Sequence, residues 1–166
     1  MVKRKHIIII LLALLIAVVA AVYCFQGEAK KITKQFTLLS ELASKDGDEG
    51  NLTMARRAQQ ISRLFAEKCD IKANLAFLSG TYARQEISGL AARARSQFSR
   101  LSVRFYDLNI EFPDEDTPTV TVTGRASGRL RGGDAFDDVL ELECSLRKFD
   151  DSWLFTTIEA VEVLEK

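Results

Sequence analysis

Leu101-Ser102-Val103-Arg104-Phe105-Tyr106-Asp107-Leu108-Asn109-Ile110-Glu111-Phe112 is where the chain changes its hydrophobic period. Leu101, Val103 and Phe105 alternate with polar residues, and Tyr106, Leu108, Ile110 and Phe112 then alternate on the opposite phase. A period of two marks a strand with one buried face. The phase reversal predicts a β-bulge, because a one-residue slip turns every later side chain to the other face. Downstream, Pro113 to Pro118 reads as a turn, and Val120, Val122, Ala126 and Leu130 as the next strand. Gly132-Gly133-Asp134 turns again, and Leu140, Leu142, Cys144 and Leu146 line one face of a third strand. Asp150-Asp151-Ser152 precedes a last strand from Trp153 to Leu164. The result is a four-stranded antiparallel meander. In one register of its central hairpin Gly128 faces Leu140, Ala126 faces Leu142, Gly124 faces Cys144 and Val122 faces Leu146. On the other face Arg125 then meets Glu143, and Arg131 meets Asp137. Small residues opposite large ones, with opposite charges paired, favour that register.

Upstream the period is helical. Ile32, Phe36, Leu39 and Leu42 predict a first amphipathic helix over about residues 29–45. Asp46-Gly47-Asp48-Glu49-Gly50 breaks it, and Asn51 is placed to cap a second helix. That helix carries Met54, Ala58, Ile61 and Phe65 on one face and ends near Lys68. A short strand is expected around Ile71 to Phe77, then a turn at Ser79-Gly80-Thr81 with Thr81 as cap. Ala83, Ile87, Leu90, Ala94 and Phe98 mark a third helix, on which Arg93, Arg95 and Arg100 read as a solvated face. Helices segregated from an antiparallel sheet make the fold class α+β: three helices packed on a bent, mainly antiparallel sheet.

Residues 7–25, from Ile7 to Phe25, contain no charged side chain. As a helix the stretch covers roughly 28 Å, close to the hydrocarbon thickness of a bilayer. It therefore reads as a transmembrane helix, preceded by a basic segment, residues 1–6, with Lys3, Arg4 and Lys5, and followed by a linker at 26–31 and an α+β domain at 32–166. The basic cluster predicts the N-terminus in the cytoplasm and the domain on the far side of a bacterial inner membrane. A cleavable signal peptide with its site at Val19-Ala20-Ala21 is the rival reading, but the apolar run exceeds the usual length of such a segment.

The chain has 166 residues and a formal net charge of zero, but Lys3, Arg4 and Lys5 stand without acids, so the part after Gly27 carries a net of −3. A mildly acidic domain argues against nucleic acid as a partner. Cys69 and Cys144 read as two buried thiols, with a disulfide between them the alternative in an oxidising compartment, and Cys24 lies in the apolar run. The only histidine, His6, sits beside that run, and no cysteine spacing suggests a metal, so neither metal nor cofactor is expected.

Three short stretches carry a family resemblance. Leu64-Phe65-Ala66-Glu67-Lys68-Cys69-Asp70, Gly80-Thr81-Tyr82-Ala83-Arg84-Gln85-Glu86-Ile87 and Asp151-Ser152-Trp153-Leu154-Phe155 together resemble the nuclear transport factor 2-like superfamily, also called SnoaL-like or cystatin-like. The likeness covers about residues 30–164 and implies a bent sheet wrapped round a helix, enclosing a conical cavity. Members of that superfamily include isomerases, cyclases, dehydratases and non-enzymatic assembly domains. An isomerase-type site needs a carboxylate base and a proton donor facing an apolar pocket, which here would be Asp107 with Tyr106 or Tyr82. Tyr106 and Asp107 are adjacent, so they point to opposite faces unless the bulge re-aims one. The His–Asp dyad of the family's dehydratases has no histidine to occupy it in the domain.

A ligand inside the cone would meet Tyr106, Gly124, Ala126, Gly128 and Trp153, the three small residues either opening a cavity or admitting the third helix. Arg125, Arg129, Arg131, Arg147 and Lys148 would form a basic surface for lipid head groups or an acidic partner unless Asp137, Glu141 and Glu143 neutralise them. Asp114-Glu115-Asp116 is read as a solvated turn rather than a cation site. The expected function is that of a non-enzymatic, membrane-anchored envelope protein whose domain binds a protein partner or its own copy. The alternative is a binder of a small hydrophobic ligand, or an isomerase-like enzyme, using the cone interior.

Overall fold

A computed structural model describes residues 2–73, 79–114 and 116–163. The chain divides into two units, residues 1–33 and 34–166. Helix α1 (Val2–Ala43) contributes to both and is unbroken, so residues 26–31 are helical and Gly27 does not interrupt them. In the first unit Leu12, Leu14, Leu15, Ile16, Val18 and Val19 are all exposed. This helix is long and apolar enough to cross a membrane.

The second unit continues with α2 (Asn51–Ser62), β1 (Phe65–Lys72), β2 (Gly80–Ala83), α3 (Arg84–Gln97), β3 (Phe98–Asp114), β4 (Thr117–Leu130), β5 (Ala135–Phe149) and β6 (Ser152–Val163). The strands form one sheet in the order β2-β1-β6-β5-β4-β3. The expected meander is β3 to β6, and β1 extends it by pairing parallel to β6. Two expectations are corrected here. Helix α2 stops at Ser62, and the first strand begins at Phe65 rather than Ile71. Thr81 is not a helix cap but part of β2, which pairs with β1. Residues 74–77 of the expected strand and Glu115 lie outside the described residues.

Chemistry at the helix ends explains the boundaries. Gly50, not Asn51, is the N-cap of α2. At α3 the backbone N–H of Ala83 donates to the Glu86 carboxylate at 2.7 Å, which satisfies a donor that the helix leaves orphaned. Of the face expected on α3 only Ile87 is fully buried; Ala94 is exposed and Arg95 takes its place in the core.

The bulge predicted within β3 is present. The β3–β4 register shifts between Tyr106 and Asn109, and Asp107 has a φ of 55°. Before it Phe105 opposes Gly124, and after it Ile110 opposes Val120, so both apolar phases reach the same side of the sheet. The β4–β5 register differs from the expected one by four residues: Leu140 pairs with Gly124, Leu142 with Val122 and Cys144 with Val120. An even slip keeps every side chain on its face, so alternation alone does not distinguish the two. The turn does. Gly133, at φ 99°, donates to the Leu130 carbonyl, and Leu130 donates to the Asp134 carbonyl, which closes the hairpin tightly. In consequence Arg125 pairs with Asp137 rather than Glu143, and Arg131 with Asp48 rather than Asp137.

The core lies between the sheet and the helices. Phe36 of α1 stacks edge-on against Phe105 and Phe155, with ring centroids 5.3 and 5.0 Å apart. The edge strand β3 is covered where α1 ends: Lys45 and Leu101 exchange backbone hydrogen bonds of 2.6 and 2.9 Å, and Ser44 Oγ accepts from the Val103 N–H. Covering an edge in this way removes a template for strand addition.

Candidate functional site

The helix-facing side of the sheet is where a cone interior would lie. Trp153, Phe155, Leu146, Phe36, Val120 and Val122 are all buried there, each at 1% exposure or less. Gly124 and Gly128 open no space. A Cβ on Gly124 would stand 3.2 Å from Leu142 Cδ1, and one on Gly128 only 2.2 Å from the Arg100 carbonyl oxygen. The room left by these glycines is filled by a core side chain and by the backbone of β3, not by α3. Ala126 is half-buried. Tyr106, by contrast, is 41% exposed and lines a small cleft with Ser102, Arg104, Arg125 and Ser127, apart from the buried Trp153. Asp107 is exposed as well. Among the described residues the buried polar side chains are Lys45, Ser62 and Arg95, none of them a carboxylate.

Arg95 is the residue that sequence reasoning placed wrongly. Its side chain is 2% exposed. The guanidinium Nη1 donates to the carbonyls of Leu42, Ala43 and Ser44 at 2.5, 2.7 and 3.1 Å, while Nη2 holds both Glu49 carboxylate oxygens at 2.8 and 2.7 Å. A cation on the last carbonyls of a helix meets the negative end of its dipole and the acceptors the helix leaves unpaired. Lys45 is buried beside it and donates to the Phe98 carbonyl at 2.9 Å.

The thiols are free and buried. Cys69 lies on β1 and Cys144 on β5, and both strands pair with β6, so a strand separates them. Two strand spacings, about 9.5 Å, exceed the reach of a disulfide. Burial pushes the Cys69 thiol up to about 12 from 9.0, helped by Asp70. Burial does the same to Cys144, with contributions from Cys69 and Glu143. The folded state therefore keeps protons that the unfolded chain releases above pH 9. Stability from these thiols is complete below pH 9 and falls as pH rises from 9 towards 12. Urea midpoints measured from pH 8 to 11 are expected to fall less steeply for Cys144→Ala than for the wild type; parallel slopes would contradict it.

Among the described residues no helix packs on the other side of the sheet. A hollow of about 1110 Å³ lies across β1, β6, β5 and β4 and is lined by Lys68, Arg84, Thr119, Ser145, Arg147 and Leu154 among others. The hollow forms because β1 bows away from β6: Phe65 pairs with Phe155, yet Asp70 pairs with Thr157. A polar row crosses the whole sheet here, running Thr81, Asp70, Thr157, Ser145, Thr119 and Glu111 through successive paired positions. Thr81 Oγ1 donates to Asp70 at 2.5 Å within it. Apart from Thr81, expected as a helix cap, sequence reasoning assigned no role to these residues. The available signal was the Thr117, Thr119, Thr121, Thr123 alternation that interleaves the buried valines of β4. Of the basic surface considered from sequence, Arg125 is held by Asp137 at 2.6 Å, Arg131 by Asp48 at 3.3 Å, and Lys148 lies 5.6 Å over the Trp153 ring. Hydrogen bonding to the partner raises Arg125 and lowers Asp137 from their ordinary values. No group of three or more His, Cys, Asp or Glu suited to a metal ion occurs among the described residues.

No protein-family model matches the sequence, and no curated protein does. Solved structures do. One described as an NTF2-like protein with a cystatin-like fold, from Novosphingobium aromaticivorans, superposes with a TM-score of 0.66 at 15% identity, covering 89% of this chain and 88% of its own. One described as a putative scytalone dehydratase from the same species gives 0.62 at 18% identity, covering 81% and 83%. A putative calcium/calmodulin dependent protein kinase II association domain from Xanthomonas campestris gives 0.55 at 13% identity, covering 74% and 97%. With helices on one face of a bent sheet of this strand order, the domain has the nuclear transport factor 2-like, or cystatin-like, α+β fold.

Proposed function

We propose that this protein is a single-pass membrane-tethered interaction module, its N-terminus in the bacterial cytoplasm and its α+β domain on the far side of the inner membrane. The domain binds a protein partner or a second copy of itself through the open face of the sheet and performs no chemistry in the cone. The packed interior supports this reading most directly. Dehydration or isomerisation of the kind this fold supports needs room for a substrate beside a carboxylate or histidine. Here that room is occupied by Trp153, Phe155, Phe36 and Leu146. The open face instead offers a broad hollow with exposed Phe149 and half-buried Leu154 at its rim and floor. Structural neighbours described as a dehydratase and as an association domain show that the fold accommodates catalysis and association alike. A membrane tether raises local concentration and fixes orientation, so weak contacts suffice.

The test is photo-crosslinking in intact membranes from a reactive residue placed at Phe149 or at Leu154, with Leu52, exposed on α2, as the control position. A discrete protein adduct is expected from the two sheet positions and not from Leu52. No adduct from either sheet position, together with a small molecule retained by the purified protein, would overturn the reading. Extraction with alkaline carbonate tests the tether separately: the protein should stay in the pellet, and its release would remove the membrane from the account.

A further inference from the structure

Arginines on β3 and β4 face each other directly, twice. Arg100 pairs with Arg129 and Arg104 with Arg125, and between these two pairs Ser102 opposes Ser127. All six belong to the phase opposite to core-facing Leu101, with the arginines exposed and the serines half-buried. Like charges directly opposite on neighbouring strands destabilise a sheet. A fold that accepts this twice across one hydroxyl pair is spending stability on something other than itself. Nearby acids account for only part of the charge. Asp137 engages Arg125 and Asp48 engages Arg131, while Asp46 and Asp48 share a cleft with Arg100 and Arg129. Arg104 and Arg129 form no ion pair among the described residues. Ser102, Arg104, Tyr106, Arg125 and Ser127 enclose a cleft of about 200 Å³, small enough to suit one tetrahedral oxyanion.

We infer that this cleft is a phosphate-binding site, in which Arg104 forks onto the anion, Arg125, whose Nε and Nη2 are held by Asp137, adds its Nη1, and the Ser102, Ser127 and Tyr106 hydroxyls donate to its remaining oxygens. Guanidinium groups match phosphate bidentately, and the hydroxyls supply donors without charge. The phosphate is either that of an anionic phospholipid head group or a free soluble phosphate. The cleft lies on the same open face of the sheet as the partner-binding hollow but shares no lining residue with it.

The experiment titrates inorganic phosphate against the full-length protein at low ionic strength and follows amide shifts of β3 and β4. It is run in neutral detergent, in phosphatidylcholine nanodiscs, and in nanodiscs that also contain phosphatidic acid. Saturable binding is expected in detergent, weakened at least tenfold by Arg104→Gln and unchanged by Arg93→Gln, on the exposed side of α3. Loss of phosphate binding in the phosphatidic acid discs identifies the lipid source, and undiminished binding there identifies soluble phosphate. A second measurement does not need the ligand. Arg104→Gln relieves the like-charge pair, so its thermal midpoint without phosphate should equal or exceed that of the wild type. Absence of saturable binding in every arm, or binding that Arg104→Gln leaves unchanged, would falsify the assignment.

Discussion

Arg95→Met is expected to cost the folded domain about 4 kcal/mol, read as a drop in the denaturant midpoint at unchanged slope. Methionine keeps most of the buried stem, so the loss isolates the guanidinium. Its removal strips three carbonyls at the end of α1 of their donor and leaves Glu49, only 15% exposed, with the longer 3.6 Å contact to Arg57 as its remaining ion pair. The Leu42 carbonyl is buried, so water does not readily replace its lost donor. Glu49→Gln should cost far less, about 1 kcal/mol, because Arg95 keeps its carbonyls and a neutral acceptor remains. The two changes together should fall short of their sum, since they share one contact network. Arg93→Met, on the exposed side of the same helix, serves as the control and should be neutral. An Arg95→Met protein as stable as the control would mean that the last turn of α1 is held by packing alone.

Gly128→Ala is expected to cost about 3 kcal/mol, although it adds one methyl group to a half-buried strand position. The new Cβ would lie 2.2 Å from the Arg100 carbonyl oxygen and 3.0 Å from the Leu101 Cα, both of them backbone atoms. That backbone cannot retreat. Its register already shifts between Phe98 and Arg100, and Leu101 is held from the other side by two hydrogen bonds to Lys45. Gly124→Ala provides the contrast. Its tightest contact is 3.2 Å to the tip of Leu142, which can turn aside, so the cost should stay below about 1 kcal/mol. Chemical denaturation of both variants separates the cases. Equal costs would show that β3 yields as readily as a side chain.

These two glycines show how far sequence reasoning reached. Their smallness within an apolar phase was read as opening a cavity or admitting helix α3, and the room is filled by neither. A ligand, helix α3, a leucine tip and a neighbouring carbonyl all demand the same missing Cβ, so the sequence did not say which. Tyr106 shows the same limit. Its place beyond Phe105 announced the bulge, but which residue of a bulge turns outward depends on the dihedral of Asp107, at φ 55°. For Arg95 the signal was misleading. An arginine on an amphipathic helix ordinarily faces water, and nothing local reveals that the end of another helix waits opposite.

Read alone, the sequence determined the long apolar N-terminal helix, the change from helical to alternating period, the bulge, the turns of the β3–β6 meander and the α+β class. Each of these depends on neighbours within a few residues, where backbone geometry and side-chain period act directly. Tertiary structure decided the hairpin register, the parallel β1–β6 pairing, the filling of the cone, the burial of Arg95 and the two facing pairs of arginines. Those depend on which surfaces meet across the chain, and alternation repeats every two residues, so several registers satisfy it equally until the turn at Gly133 selects one.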